Sequence, residues 1–250
     1  LEAAARLETI MNKAYWDAFF DLHNDLPREG PGEPDDVAWA AQVANLRGDA
    51  RICDAACGPG ADIAALKDVA PQGQITALDK VEAFVDQARA HYADDPAVTL
   101  FTGDMAEISG PFDLIWCAGA VYFQGVTKAL TTWRDALSDG GVVAFSQVCW
   151  FTPNPSDAAR TGWAEYTDMT DEAGVLQAVE DAGFECLSSR RLSDAAWEAY
   201  YSPLDARIAA LEPQADGALV DVLEEARAEA ALWRAERESF GYLLCVVRPK

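Results

Sequence analysis

The segment RICDAACGPGADIAAL (51–66) decides the fold of this chain. An apolar run ends at Asp54, a turn containing Gly58 and Gly60 follows, and a helical pattern begins after the turn. Glycine allows a sharp turn and lets a ligand approach the backbone closely. The start of the next helix directs free N–H groups at such a ligand. The segment predicts a nucleotide-like ligand, although two glycines alone fit a purely structural turn equally well.

From Gly48 onward, short apolar runs alternate with amphipathic helical stretches, a pattern typical of a parallel sheet covered by helices. We predict helices at about 61–69, 81–93, 126–137 and 171–182. The seven predicted strands are 51–55, 74–79, 97–101, 112–118, 141–150, 184–192 and 241–247.

Two segments fall outside this alternation. Residues 1–47 are predicted to form a helical lead-in, broken at 26–34 by three prolines and two glycines. Residues 193–238 are rich in Ala, Glu and Arg and predict two helices split near Pro213 and Gly217, forming a cap or an interface. We expect a single domain, with a cofactor-binding half at 48–150 and a second half at 151–250.

Composition excludes several classes of protein. The chain has 250 residues and a net charge of −23, which disfavours nucleic acid and anionic membranes as partners. No run of eighteen uncharged apolar residues and no signal-peptide pattern occurs, so we expect a cytoplasmic protein. Six cysteines without a C-x-x-C pair, together with two histidines, predict free thiols and no metal site.

Acidic residues follow three successive predicted strands. Asp79 is placed to accept the hydroxyl groups of a ribose, and Asp104 to accept the exocyclic amine of an adenine with Met105 against the ring. With Asp54, these carboxylates should face one crevice of a doubly wound sheet. Ile63 stands where a dinucleotide-binding turn needs its third glycine, so an NAD(P)-dependent reductase is the weaker alternative. The P-loop motif G-x-x-x-x-G-K-[ST] does not occur in the sequence, which excludes a P-loop nucleotide site.

Five motifs, in order, resemble those of class I S-adenosylmethionine-dependent methyltransferases. They are DAACGPG (54–60), ALDK (77–80), GDM (103–105), FDLIWCAGAVY (112–122) and LSDGGVVAFSQ (137–147). The lead-in and the segments 146–152 and 197–205 are similar to a bacterial small-molecule subgroup. The resemblance implies a strand order 3-2-1-4-5-7-6 with the last strand antiparallel. It also implies methyl transfer from S-adenosylmethionine to an O, N or S atom of a small molecule.

The resemblance also implies which residues hold the cofactor. The predicted cofactor-binding residues are Arg28, Asp54, Ala56, Gly58, Gly60, Asp79, Lys80, Asp104, Met105, Cys117, Ala118 and Gly119. Of these, Asp54 and the glycines match the methionine turn, and 117–119 match the loop beside the reacting methyl. Ala56 departs from the family, which usually has glycine there; the added methyl predicts either weaker binding or a backbone with negative φ.

Transfer of the activated methyl group requires that the acceptor's nucleophilic atom be aligned behind the methyl, and a general base is optional. The candidates for a base are His23, Tyr122 and Glu165. Arg28 is expected to pair with the cofactor's carboxylate or, alternatively, with a surface acid. Core packing accounts for most of the aromatic residues outside the cofactor motifs. We expect several of them to line a pocket for a flat or amine-bearing acceptor. The predicted pocket residues are Tyr122, Trp150, Trp163, Trp197 and Tyr201.

Two further expectations concern the whole protein. A non-catalytic S-adenosylmethionine-binding protein remains an alternative function, because Ala56 departs from the family and no base is obvious. We expect a monomer or a homodimer.

Overall fold

A computed structural model describes residues 2–164 and 166–250, with side chains from residue 13. Seven strands, numbered in chain order, form one sheet in the order β3-β2-β1-β4-β5-β7-β6. β7 runs antiparallel to β5 and β6, and the other pairs are parallel. The order implied by the resemblance is therefore confirmed. The strands are β1 (Arg51–Ala55), β2 (Gln74–Asp79), β3 (Val98–Thr102), β4 (Phe112–Cys117), β5 (Leu137–Trp150), β6 (Phe184–Arg191) and β7 (Phe240–Pro249).

Nine α-helices occur in the described residues, with short 3₁₀ turns between some of them. They are α1 (Glu2–His23), α2 (Pro34–Ala44), α3 (Ile63–Val69), α4 (Glu82–Tyr92), α5 (Val126–Trp133), α6 (Asp157–Gly162), α7 (Glu172–Asp181), α8 (Asp194–Leu211) and α9 (Ala218–Glu236). All of the predicted helices are present. The sequence reasoning missed α6, because six residues are too few to show helical periodicity.

The sheet is buried on both faces because successive side chains of its strands point in opposite directions. In β1, Ile52 joins the hydrophobic cluster that also contains residues of α2, α3, α8 and α9. Its neighbour Cys53 joins the opposite cluster, with residues of α5 and α7. These strands are consequently near-continuous apolar runs, as expected for parallel strands that are covered on both faces.

The two segments outside the alternation pack against each other. α1 contacts both α8 and α9, which are separated at Pro213 and Gly217 as predicted. Ser193 is the N-cap residue of α8, and its hydroxyl accepts a hydrogen bond from the amide of Ala196. Among the described residues, no helix has both the length and the apolar character that a bilayer span requires.

Candidate functional site

A cavity of about 660 Å³ lies between the carboxyl ends of β1, β2 and β4 and the side chains of α1, α8 and α9. Its volume falls in the range of small-molecule sites, roughly 300–1,000 Å³. In a doubly wound sheet, ligands bind in the crevice at these strand ends. The predicted cap is therefore part of the wall: Trp197 and Tyr200 come from α8, and Glu229 comes from α9.

Asp54 lies in β1 at the floor of the cavity and is 3% exposed. Its Oδ2 atom has no hydrogen-bond partner among the described residues. Burial raises the pKa of Asp54 well above its ordinary value, and the carboxylates of Asp62 and Asp79 raise it further. A buried acceptor without a partner costs free energy unless a ligand donates to it. The oxygen is thus ready to accept a hydrogen bond from a ligand's ammonium group.

The turn after β1 has a left-handed backbone at three positions. Ala56 has φ of 60°, Gly58 of 53° and Gly60 of 85°. The negative φ considered for Ala56 is wrong, so its methyl is accommodated in a conformation that L-residues rarely adopt. The Gly58 amide donates a 2.9 Å hydrogen bond to Asp79 Oδ2, and the Val81 amide donates to Asp79 Oδ1 at 2.8 Å. The turn therefore fixes the Asp79 carboxylate at the cavity wall.

Gly60 serves packing rather than the cavity wall. A Cβ at this position would lie 3.0 Å from Ile63 Cδ1 and 3.1 Å from Ala88 Cβ. The absence of a side chain at Gly60 thus lets α3 and α4 pack closely beside the turn.

Arg28 reaches the cavity from the proline- and glycine-rich break. Its Nη2 atom lies 3.3 Å from Asp62 Oδ1, and both side chains are about 90% buried, at 11% and 10% exposed. Trp116 Nε1 donates to the other oxygen of Asp62 at 2.9 Å. The Arg28 Nε atom also donates to the carbonyl of Gly30. Arg28 is therefore held at the wall by an internal acid and not by a surface acid.

His23 and Glu29 form a second pair at the wall. His23 Nδ1 lies 2.6 Å from Glu29 Oε2, and the imidazole stacks on Phe19 with ring centroids 4.0 Å apart. Burial raises the pKa of Glu29, and the hydrogen bond and charge of His23 oppose that rise. Glu29 Oε1 is buried without a hydrogen-bond partner among the described residues. This pair places one free carboxylate oxygen in the wall.

An aromatic compartment forms the part of the cavity beside the loop after β4. It is defined by Tyr122, Trp163, Tyr166, Trp197, Tyr200 and Tyr242. The Tyr242 hydroxyl lies 3.8 Å from the position that a Cβ on Gly119 would occupy, which places the compartment against this loop. Burial raises the pKa of Tyr122 to about 12, so its phenol stays protonated at neutral pH and can donate a hydrogen bond.

Glu229 contributes a carboxylate to the same wall. Its Oε1 atom accepts a 3.0 Å hydrogen bond from the Tyr201 hydroxyl. The side chain is accessible from the cavity, yet the surrounding protein atoms desolvate it and raise its pKa. The helix α9 therefore brings to the cavity wall an acid whose hydrogen-bond partner is a neutral hydroxyl.

The structure brings most of the predicted site residues together. Those that line the cavity are His23, Arg28, Asp54, Ala56, Gly58, Asp79, Ala118, Gly119, Tyr122, Trp163 and Trp197. Glu165 lies outside the described residues. The residues that the structure places away from the described lining are Gly60, Lys80, Asp104, Met105, Cys117, Trp150 and Tyr201.

Local contacts explain the positions of several of these outlying residues. Lys80 is 82% exposed and reaches Asp104, which accepts a hydrogen bond from the Ala106 amide. Met105 is buried, and its carbonyl accepts a hydrogen bond from the Trp133 indole.

The outlying members of the predicted acceptor pocket pack behind the wall. Trp150 lies edge-on to Phe240, with ring centroids 6.2 Å apart. The Tyr201 ring stacks on Trp197, with centroids 5.8 Å apart, and its hydroxyl reaches Glu229. Tyr201 therefore supports the lining residue Trp197 from outside, while Trp150 is one ring further away, since Phe240 lies between it and the lining residue Trp163. Cys117 is buried within β4.

Sequence reasoning missed Glu29, Asp62, Glu229 and Tyr242, which all line the cavity. Glu229 belongs to a helix with several glutamates, and helical periodicity does not distinguish the one that faces a cavity. Tyr242 lies in an apolar strand, where a phenol is typical of core packing. Asp62 follows the glycine turn directly, which was the one usable signal.

Residues 52–141 match the family model described as a methyltransferase domain. This segment of the chain has the sequence pattern of a methyltransferase domain. The match covers the first four strands and the start of the fifth, where four of the five motifs lie and the last begins. The resemblance to class I S-adenosylmethionine-dependent methyltransferases is thus confirmed by the domain model and by the strand order of the sheet.

A curated relative and two solved structures are similar to this chain. An uncharacterized 37.1 kDa protein in transposon TN4556 of Streptomyces fradiae is 28% identical over 138 residues, 47% of this chain and 40% of the relative's length. A S-adenosylmethionine-dependent methyltransferase from Geobacter sulfurreducens, solved with S-adenosyl-L-homocysteine, is 18% identical with a TM-score of 0.79, covering 94% of this chain and 98% of that one. The 4+2 cyclase SpnF is 19% identical with a TM-score of 0.71, covering 92% and 94%. At these identities, the structures establish the fold.

Proposed function

We propose that this protein transfers a methyl group from S-adenosylmethionine to a small-molecule acceptor. The observation that carries the proposal is the free, buried oxygen of Asp54 beside the fixed carboxylate of Asp79 at one cavity wall. The methyltransferase domain matched by residues 52–141 supports the same cofactor.

The residues present fit this cofactor. The Asp54 oxygen without a partner suits the ammonium group of the methionine part, and Asp79 retains acceptor capacity for the ribose hydroxyls. Gly58 leaves the backbone open beside them, and Arg28 lies at the wall for the carboxylate. Asp104 and Met105 remain the proposed adenine contacts from the adjoining strand end, with Lys80 beside them.

When bound, the cofactor supplies a methyl group that is already activated on a sulfonium. The chain's own task is then to orient the acceptor and to exclude water. We assign orientation to the loop 118–119 and the protonated phenol of Tyr122. The rings of the aromatic compartment exclude water, and α1, α8 and α9 close the cavity above them.

Calorimetric titration of S-adenosylhomocysteine tests the binding step. We expect saturable binding by the wild-type protein and at least about tenfold weaker binding by Asp79→Asn, because the charged hydrogen-bond acceptor for the two ribose hydroxyls is lost. Asp49→Asn is a matched control on the exposed turn before β1. Absence of binding by the wild-type protein contradicts the proposal.

A second candidate function is binding of the cofactor without methyl transfer. SpnF, a cyclase on the same fold, favours keeping this candidate, as does the departure at Ala56. Incubation with methyl-labelled S-adenosylmethionine and a metabolite extract distinguishes the two, since only transfer moves label to a product.

We infer that the acceptor is a small molecule and not nucleic acid, because a net charge of −23 repels a phosphate backbone. We further propose a bacterial enzyme, on the resemblance to a bacterial small-molecule subgroup, that is cytoplasmic and a monomer or a homodimer. We propose that 48–150 binds the cofactor, while the lead-in 1–47 and the helical insertion 193–238 shape the acceptor side of one domain.

A further inference from the structure

The cavity wall has more acidic than basic side chains in its described residues. Its two basic side chains are already paired, Arg28 with Asp62 and His23 with Glu29. Among the described residues, the hydrogen-bond partner of Glu229 is the neutral hydroxyl of Tyr201. Burial raises the pKa of Glu229, and the charge of His23 acts in the opposite direction. The wall therefore provides a carboxylate that no basic side chain of the described wall contacts directly.

The location of Glu229 connects this charge to the aromatic compartment. Burial raises the pKa of the phenols of Tyr122, Tyr200 and Tyr242, and the nearby charge of Glu229 raises the pKa of each further. Tyr242 in turn lies against Gly119, beside the loop that the proposed function places next to the methyl. A ligand between these phenols is thus close to both the loop and the Glu229 carboxylate.

A second observation points to a cationic ligand independently of Glu229. The Oε1 atom of Glu29 is buried without a hydrogen-bond partner among the described residues, and it belongs to the same cavity wall. Faces of Tyr and Trp rings attract cations, most strongly where water is excluded. The chemistry of the walls therefore suits an ammonium group better than a carboxylate or a phosphate.

We propose that the acceptor is a small amine whose ammonium group binds Glu229 within the aromatic compartment. This inference rests on the proposed function, because the amine is taken to be the group that receives the methyl. An acceptor with a carboxylate or phosphate has only Arg28 and His23 as basic partners in the described wall. Arg28 pairs with Asp62 and is assigned to the cofactor's carboxylate, and His23 pairs with Glu29.

Methyl transfer to such an acceptor requires that its nitrogen first lose a proton. The ammonium group gives one proton to the Glu229 carboxylate, which leaves a neutral amine. The nitrogen lone pair forms a C–N bond to the methyl carbon while the C–S bond breaks, and the electron pair of that bond stays on sulfur. The positive charge passes from sulfur to nitrogen. Desolvation of Glu229, which raises its pKa, favours its role as the proton acceptor.

Matched probes test the charge preference on the full chain saturated with S-adenosylhomocysteine. The probes are benzylamine, tyramine and tryptamine, each compared with the carboxylate and the alcohol of the same ring and chain length. We expect the amines to raise the melting temperature and the carboxylates to leave it unchanged. Equal shifts by carboxylates or alcohols, or no shift by any amine at millimolar concentration, overturn the inference. Failure of S-adenosylhomocysteine itself to bind contradicts the proposed function instead.

A pair of variants on α9 tests the residue. Glu229→Gln keeps the shape of the side chain but removes its charge, so the strongest-binding amine should bind at least about tenfold more weakly. Glu224→Gln, on the exposed side of the same helix, should bind it like the wild type. Unchanged S-adenosylhomocysteine affinity in Glu229→Gln reports intact folding. If the folded variant binds the amine as tightly as the wild type, another group binds the ammonium, and the role of Glu229 is overturned.

Discussion

The guanidinium of Arg28 and the carboxylate of Asp62 form an ion pair at the cavity wall, with Nη2 3.3 Å from Oδ1. Trp116 holds the second oxygen of Asp62, so the acid is fixed from the sheet below. Arg28 therefore offers a ligand only the donors that this pair leaves free, and it partly offsets the negative charge around Asp54.

Arg28→Ala should weaken cofactor binding and destabilise the protein. Removing one member of a buried pair costs about 3–5 kcal/mol, and partial access from the cavity places the expected loss at the lower end. Titration calorimetry with S-adenosylhomocysteine and urea unfolding measure the two effects. An unchanged dissociation constant rejects Arg28 as a cofactor ligand.

Asp62→Asn separates direct from indirect action of Arg28. The amide keeps the shape of the side chain and leaves Arg28 without its charged partner. If Arg28 binds the cofactor's carboxylate itself, this variant should bind at least as tightly as the wild type. A loss as large as that of Arg28→Ala instead means that the pair acts as a unit.

The strands were predictable because burial on both faces produces apolar runs of recognisable length. β1 and β2 agree with their predicted bounds at both ends. β5 begins earlier than predicted, because Leu137 already pairs with Phe112 of β4 ahead of a shift in register. The strand order came from the resemblance and not from periodicity. The missed helix α6 is capped by Ser156, but its six residues are too few to show a repeating apolar face.

The site was only partly predictable, because cavity walls are assembled from distant segments. Asp54 and Asp79 follow strands whose ends meet by topology, so their convergence could be expected. Glu229 reaches the same cavity from 175 positions beyond Asp54 in the chain, through the packing of α9 on α1. No local pattern encodes that contact. The conformation at Ala56 was also inaccessible, since alanine itself favours negative φ.

Asp54→Asn should stabilise the ligand-free protein and weaken cofactor binding. The folded state raises the pKa of Asp54 well above the ordinary 3.8, so the folded state binds this proton more tightly than the unfolded state. The ligand-free wild type therefore loses stability as the pH rises from about the ordinary value through the raised one. The amide carries no charge and avoids that loss.

Urea unfolding between pH 4 and pH 8 measures this difference, which should be on the order of 1–3 kcal/mol at the upper end and shrink toward the lower end. Saturation with S-adenosylhomocysteine should reduce or reverse the advantage of Asp54→Asn, because a bound ammonium compensates the carboxylate. A variant that is less stable at every pH contradicts the assignment of Oδ2 as an uncompensated acceptor.

Ala56→Gly should be stabilising or neutral, although glycine normally loosens a chain. At φ of 60°, a left-handed L-residue is strained by about 1–2 kcal/mol, whereas glycine is not. The greater backbone entropy of glycine offsets about 0.5–1 kcal/mol of this gain.

Ala61→Gly is the matched control, because Ala61 lies in the same turn and at the same wall but does not have positive φ. Since no strain is relieved at Ala61, the free energy of unfolding of this variant should fall by about 0.5–1 kcal/mol. Urea unfolding should therefore separate the two variants by about 1–2 kcal/mol, and equal losses would mean that the methyl of Ala56 contributes packing that outweighs its strain.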